Sequence, residues 1–279
     1  MRAVNTNIWK LFSLKGRVAM VTGGARNLGC DMAGALAEAG ADVIITSRYL
    51  DNARSAARLL ARRTQQQILP LELDITSEEN VAKTMRAAIG WKQRLDILVN
   101  NAGGRKINRT SPNPYSDNGL ERQPAEDWDA TLTSYLRGTF LCAKHVLRQM
   151  KRQKHGSIIN IASVSGMVGR NRWVYQGSKG MVGNTTDYSA AKAGVLGFTM
   201  DLAAQVGRSG IRVNAISPGG FERGQDAEFI RRYNLLTMLG RMGRDGLDLK
   251  GAIVFLASDA SAYITAHNLV VDGGFTQMT

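Results

Sequence analysis

Tyr188 and Lys192, four residues apart in the run from Asp187 to Phe198, are the pair in this chain whose types and spacing have an immediate chemical use. Alanine and leucine surround them, so a helix is expected, and on a helix residues four apart lie one above the other on a single face. A phenol with an ordinary pKa near ~10 exchanges protons poorly at neutral pH. An ammonium held beside it favours the phenolate and draws the pKa toward the working range, which makes a general acid/base. The plain alternative is an amphipathic helix carrying a surface lysine, and the pair alone does not separate the two. Tyr175 and Lys179 repeat the same spacing. Gly177 lies inside that second pair and weakens a helix by about 1 kcal/mol relative to alanine, so Tyr188 with Lys192 is the stronger candidate.

The elements that must hold such a pair can be read from the apolar pattern. Val18 to Val21 is a strand-like run, stopped by the glycine-rich stretch Thr22 to Gly29, and Cys30 to Ala39 is helix-like. A second apolar run, Val43 to Thr46, follows. In a strand, glycine turn, helix, strand unit the free amides of the helix N-terminus face a pyrophosphate, and glycines let the backbone come close. Gly23, Arg26, Asn27, Leu28 and Gly29 fall in that turn. Helix-like 51–63, 77–91 and 126–151 alternate with strand-like 68–73, 95–99 and 157–161, the last ending in Ala162 and Ser163. Helix-like 188–207, strand-like 211–216, helix-like 247–257 and strand-like 269–272 complete the alternation. The expected fold class is α/β, a single doubly wound parallel β-sheet of Rossmann type with helices on both faces and ligands at the carboxyl ends of its strands. Residues 1–14 read as an N-terminal lead and 15–279 as one domain. Between these elements, 104–125 reads as a long polar loop and 221–245 as a helical flap over the site. Gly166-Met167-Val168-Gly169 recurs at 180–183, which marks an insertion or local duplication ahead of Tyr188.

Composition narrows the function classes. The chain has 279 residues, 44% of them hydrophobic, enough for a full core. No apolar run reaches the length of a membrane span, and residues 1–15 lack the apolar block of a secretory signal, so a cytoplasmic protein without a membrane partner is expected. Cys30 and Cys142 fit no disulfide or metal spacing and read as reduced residues; His145, His155 and His267 are isolated, so no metal is expected. The net charge of +13 suits an acidic partner, an acyl carrier protein among them, or an anionic substrate. Its basic residues form no stripe with interleaved aromatics, so no nucleic-acid partner is expected.

The chain from about Gly16 to Phe275 resembles the short-chain dehydrogenase/reductases. The likeness rests on Thr22-Gly23, Asp74-Ile75, Asn100 to Gly103, Ser163, Tyr188 with Lys192, Arg212 to Asn214, Pro218-Gly219 and Val271 to Gly274. The resemblance implies that Tyr188 is the general acid/base, that Lys192 holds the nicotinamide ribose and lowers the tyrosine pKa, and that Ser163 hydrogen-bonds the substrate carbonyl. It also implies cofactor contacts at Asp74, Ile75, Asn101, Ala102, Gly103, Pro218, Gly219 and Phe221 besides the glycine turn. The family's NAD users carry an acidic residue near position 47; here Ser47 and Arg48 stand there with Arg26 opposite, so NADP is expected over NAD. The implied reaction interconverts a secondary alcohol and a ketone. A sugar or sugar acid is the expected substrate, with Arg105, Lys106 and Arg109 as candidates to meet its charge. The alternatives are a 3-oxoacyl carrier-protein reductase and, in another class, a catalytically weak nucleotide-binding scaffold or sensor. A homotetramer or dimer is implied by resemblance alone. Two departures stand out: Tyr135 occupies the place of the family's helical asparagine, and Gly220 to Arg223 lack the family's threonine.

Overall fold

The computed structural model describes residues 7–104, 120–179, 181, 183 and 185–278. Arg105, Lys106 and Arg109, together with Gly180 and Val182 of the glycine repeat, lie outside the described residues. A short helix α1 (Ile8–Phe12) precedes β1 (Val18–Val21), the glycine turn and α2 (Asn27–Glu38). The alternation then runs β2 (Asp42–Ser47), α3 (Leu50–Thr64), β3 (Ile68–Glu72), α4 (Glu78–Lys92) and β4 (Ile97–Asn100). After the loop come α5 (Ala125–Leu132), a π-helical turn (Thr133–Arg137), α6 (Gly138–Gln153), β5 (Gly156–Ile161) and α7 (Thr186–Val206). The last third holds β6 (Ile211–Pro218), β7 (Phe221–Glu222), α8 (Ala227–Leu235), β8 (Gly243–Arg244), α9 (Lys250–Ala257) and β9 (Asn268–Val271).

Among the described residues, seven strands form one sheet in the order β3-β2-β1-β4-β5-β6-β9, every pairing parallel. The strands are continuous apolar runs because helices cover both faces. Side chains alternate along β1: Ala19 and Val21 pack into one core with α2, α3 and α9, whereas Val18 and Met20 pack into another with α4, α6 and α7. Each large side chain so buried contributes on the order of 2 kcal/mol before entropy is counted. The chain runs outward from β1 to β3 and then returns to place β4 beside β1. That reversal opens a crevice at the carboxyl ends of β1 and β4, where open α/β sheets bind ligands.

Three particulars differ from the sequence pattern. The helix expected over 126–151 is interrupted: the π turn at Thr133–Arg137 separates α5 from α6 and re-aims Tyr135. The lead is anchored at its end, with Phe12 packed on Phe255 at 6.3 Å between ring centroids and Leu14 buried. The stretch after β5 holds two short 3-10 turns, Val164–Gly166 and Arg172–Tyr175, of which the second packs on α8.

Candidate active site

The crevice is a cavity of about 720 Å³. Its floor is the glycine turn, represented by Gly23 and residues 26–29; its walls are Ser47 and Arg48 at the end of β2, Asp74 and Ile75 after β3, and residues 101–103 after β4. Twelve of the residues expected to hold a dinucleotide are thus brought together: Gly23, Arg26, Asn27, Leu28, Gly29, Ser47, Arg48, Asp74, Ile75, Asn101, Ala102 and Gly103. Thr22 fastens two of the walls, its hydroxyl accepting from the backbone N–H of Asn101 at 3.0 Å and of Ala102 at 2.9 Å. Asn101 Nδ2 donates to the Thr22 carbonyl at 2.9 Å. The turn has room for nothing larger at Gly29, where a Cβ would lie 2.3 Å from the Gly23 carbonyl oxygen and 2.6 Å from Asn101 Nδ2. Asn27, standing where the related pattern has glycine, adopts φ 51°, the left-handed region that asparagine tolerates better than most residues.

The sequence pattern missed several lining residues. Asn52, Ser55 and Leu59 face the crevice from α3, and Arg223 closes it from the segment after β6. The signal for the first three was a stripe at spacings of three and four just beyond a strand end. Arg223 carried no local signal, because a distant acid holds it: Arg223 Nε donates to Asp245 Oδ1 at 2.7 Å, and Asp31 of α2 lies 4.0 Å from Arg223 Nη2. Burial and the neighbouring Asp245 raise the Asp31 pKa, while the Arg223 guanidinium holds Asp245 low.

The second group converges at the carboxyl end of β5. Ser163 has extended backbone, is buried, and accepts from the Ser165 N–H at 3.1 Å. The Tyr188 hydroxyl, on the first turn of α7, is hydrogen-bonded to Ser163. Lys192 sits one turn further on the same face, buried, and its Nζ donates to the Ile161 carbonyl at 2.6 Å. Tyr135 joins this group to the crevice: its ring meets Tyr188 edge-on at 5.1 Å and lies against Gly103, where an added Cβ would be 2.3 Å from the ring carbons.

One expectation is corrected here. Lys192 does not draw the Tyr188 pKa down; the phenol is raised from its ordinary value, burial being the largest cause, with the Ser163 hydrogen bond and the Arg170 charge pulling the other way. The lysine's own burial pushes its pKa down to about 7, so that it is only partly charged at neutral pH. Its Nζ also stands nearer the Tyr135 ring, at 4.7 Å, than the Tyr188 ring, at 5.8 Å.

Five expected cofactor residues stand outside the lining of the crevice: Tyr188 and Lys192, described above, and Pro218, Gly219 and Phe221. Pro218 ends β6, the Gly219 N–H donates to the Val271 carbonyl at 3.0 Å, and the Phe221 ring is buried in the core beneath α2 and α9. Tyr175 is not part of a helix with Lys179; its ring packs on Phe229 at 5.4 Å.

Residues 23–276 match the family described as enoyl-(acyl carrier protein) reductase. A 3-oxoacyl-acyl-carrier-protein reductase from Escherichia coli is 35% identical over 94% of this chain and 98% of its own length. A cis-4-hydroxycyclohexanecarboxylate dehydrogenase from Sinomonas cyclohexanicum is 36% identical over 93% and 96%. The crystal structure of a gluconate 5-dehydrogenase from Burkholderia cenocepacia in complex with NADP and tartrate superposes with a TM-score of 0.84 at 32% identity, covering 98% of this chain and all of that one. A crevice at the sheet's switch point, a serine, tyrosine and lysine gathered beyond the end of β5, and relatives matched over nearly their whole length lead to one conclusion: the chain belongs to the short-chain dehydrogenase/reductase family, enzymes that act on CH–OH and keto groups.

Proposed function

We propose that this protein is an NADP-dependent reductase or dehydrogenase that interconverts a secondary alcohol and a ketone on a small hydroxy- or sugar-acid substrate. The observation that carries this reading is the convergence of Tyr188, Ser163 and Lys192 at the end of β5, next to a crevice that fits a dinucleotide. The fit is physical: Gly29 leaves room for nothing larger than backbone, and the two guanidinium groups of Arg26 and Arg48 line the wall where the ribose phosphate of NADP would be received. When bound, the nicotinamide supplies the hydride. The chain's own residues do the rest. The Ser163 hydroxyl donates to the carbonyl oxygen and orients it, and the Tyr188 hydroxyl delivers a proton to that oxygen as negative charge develops there. Lys192, its Nζ already held by the Ile161 carbonyl, would hydrogen-bond the cofactor ribose. Pro218 and Gly219 shape the end of the site, and Phe221 supports it from the core. The chain works as a homo-oligomer, dimer or tetramer, in the cytoplasm, with α6 and α7 as its contact helices; half-exposed Phe140 on α6 supports this reading.

The names of relatives support the substrate class: two of those above act on hydroxy acids. A second reading, reduction of a 3-oxoacyl carrier protein, draws on the Escherichia coli relative and on the net charge of +13, which suits an acidic protein partner. Oxidation of NADPH against a panel of oxo acids, ketoses and acetoacetyl carrier protein tests both. Turnover of an oxo acid, abolished in Tyr188→Phe, supports the first reading; preference for the carrier-protein thioester replaces it with the second; no turnover of any ketone with a nucleotide bound sinks both.

A further inference from the structure

Residues 164–179, after Ser163, have no part in the mechanism above, yet their second turn is firmly held. That turn, Arg172–Tyr175, drives Val174, 2% exposed, into a small apolar cluster with Phe229, Tyr233 and Met242. Arg232 of α8 clamps the same turn, donating to the Trp173 carbonyl at 2.8 Å with its guanidinium 4.8 Å from the Trp173 ring centroid. That anchoring fixes Arg170 beside the reacting groups. Its guanidinium carbon lies 5.9 Å from the Tyr188 ring centroid, and its Nη2 donates to Ser165 Oγ at 2.8 Å. Ser165 in turn donates its backbone N–H to Ser163, so the cation stands two links from the serine that meets the carbonyl. Gly183 permits a second guanidinium at the same place: a Cβ there would be 2.7 Å from Arg172 Nη1 and 3.4 Å from Arg170 Cδ.

A half-buried guanidinium gives up hydration, and its planar fork of donors is matched by a carboxylate. We infer that Arg170, delivered by the stretch between Ser163 and α7, is the residue that receives the carboxylate of an oxo- or hydroxy-acid substrate while Ser163 and Tyr188 act on its carbonyl. This rests on the function proposed above and names the group that selects its substrate. The rings of Tyr175 and Trp173 fix the loop that carries the charge, and the position of Arg170 at the Tyr188 face confines the class to small acids whose carboxylate and ketone are a few bonds apart.

The test compares 4-oxocyclohexanecarboxylate with its uncharged methyl ester as substrates for the wild type, Arg170→Met and Arg170→Lys. In the wild type kcat/KM favours the acid. In Arg170→Met it falls about 10- to 100-fold further for the acid than for the ester, the difference lying mostly in KM; Arg170→Lys recovers part of that difference. NADPH binding, followed by fluorescence, stays unchanged in both variants and reports that they are folded. A wild type that reduces acid and ester equally well overturns the inference even if the variants fail to fold, and so does an equal loss on both substrates in Arg170→Met. Those outcomes leave the proposed function standing. A wild type that reduces neither these nor any neutral ketone removes the function and the inference together.

Discussion

At the scale of single residues the site is governed by burial. Lys192, pushed down to about 7, sits well below the ordinary lysine value, so the folded protein sheds a proton that the unfolded chain keeps. The sign follows: the folded state binds fewer protons between the two pKa values, so stability rises with pH through that window and the burial cost is largest below it. Thermal or denaturant unfolding of wild type and Lys192→Met across pH 7 to about 9.5, below the ordinary tyrosine titration, should show the wild type gaining on the variant by up to about 1.4 kcal/mol per pH unit. A pH-independent difference would mean that Lys192 is charged in the folded protein. Tyr188→Phe keeps the ring's edge contact with Tyr135 and removes the proton, so kcat should fall about 10²- to 10⁴-fold with NADPH affinity retained. Arg48→Ala should weaken NADPH about 10- to 100-fold in a binding titration and leave NADH nearly untouched. Equal losses for the two nucleotides would take the 2′-phosphate away from Arg48.

At the scale of elements the outcome depends on how each was encoded. The apolar runs of β1, β2, β4 and β5 and the glycine turn carry their signals locally, and a buried parallel strand can hardly be anything else, so the crevice and its floor were legible. What was not legible is what depends on contacts made across the chain. Arg223 reaches the crevice because Asp245 holds it there, and Tyr135 is re-aimed by a π turn that no periodicity announces. The direction of the Tyr188 pKa failed for the same reason: spacing gives the neighbour, whereas burial of both groups decides the sign. The stretch ahead of α7 could be recognised as extra chain, but its anchoring through Val174 could not. Val174→Ala should therefore loosen Arg170 without touching the crevice. The expected outcome is a lowered kcat/KM with an NADPH dissociation constant within about twofold of wild type. A matching loss of nucleotide affinity would show that the stretch supports the whole fold instead.

At the scale of the molecule, one sheet places two groups at neighbouring strand ends: the walls of the crevice after β1 to β4 and Ser163, Tyr188 and Lys192 after β5, the proposed proton-transfer group. No described helix is long and apolar enough to cross a membrane. An apolar groove on the outer face, lined by Leu132, Leu136, Phe140 and Phe198, accompanies the proposed contact helices. The proposed function has this geometry move a hydride to a ketone carbon. The most direct measurement is reduction of an oxo acid with NADPH deuterated at nicotinamide C4, followed by mass spectrometry and NMR of the product. One deuterium is expected on the carbinol carbon in the wild type, and the labelled product is expected to form about 10²- to 10⁴-fold more slowly in Tyr188→Phe. An alcohol product without deuterium on that carbon, or a labelled product formed equally fast by the variant, would contradict it.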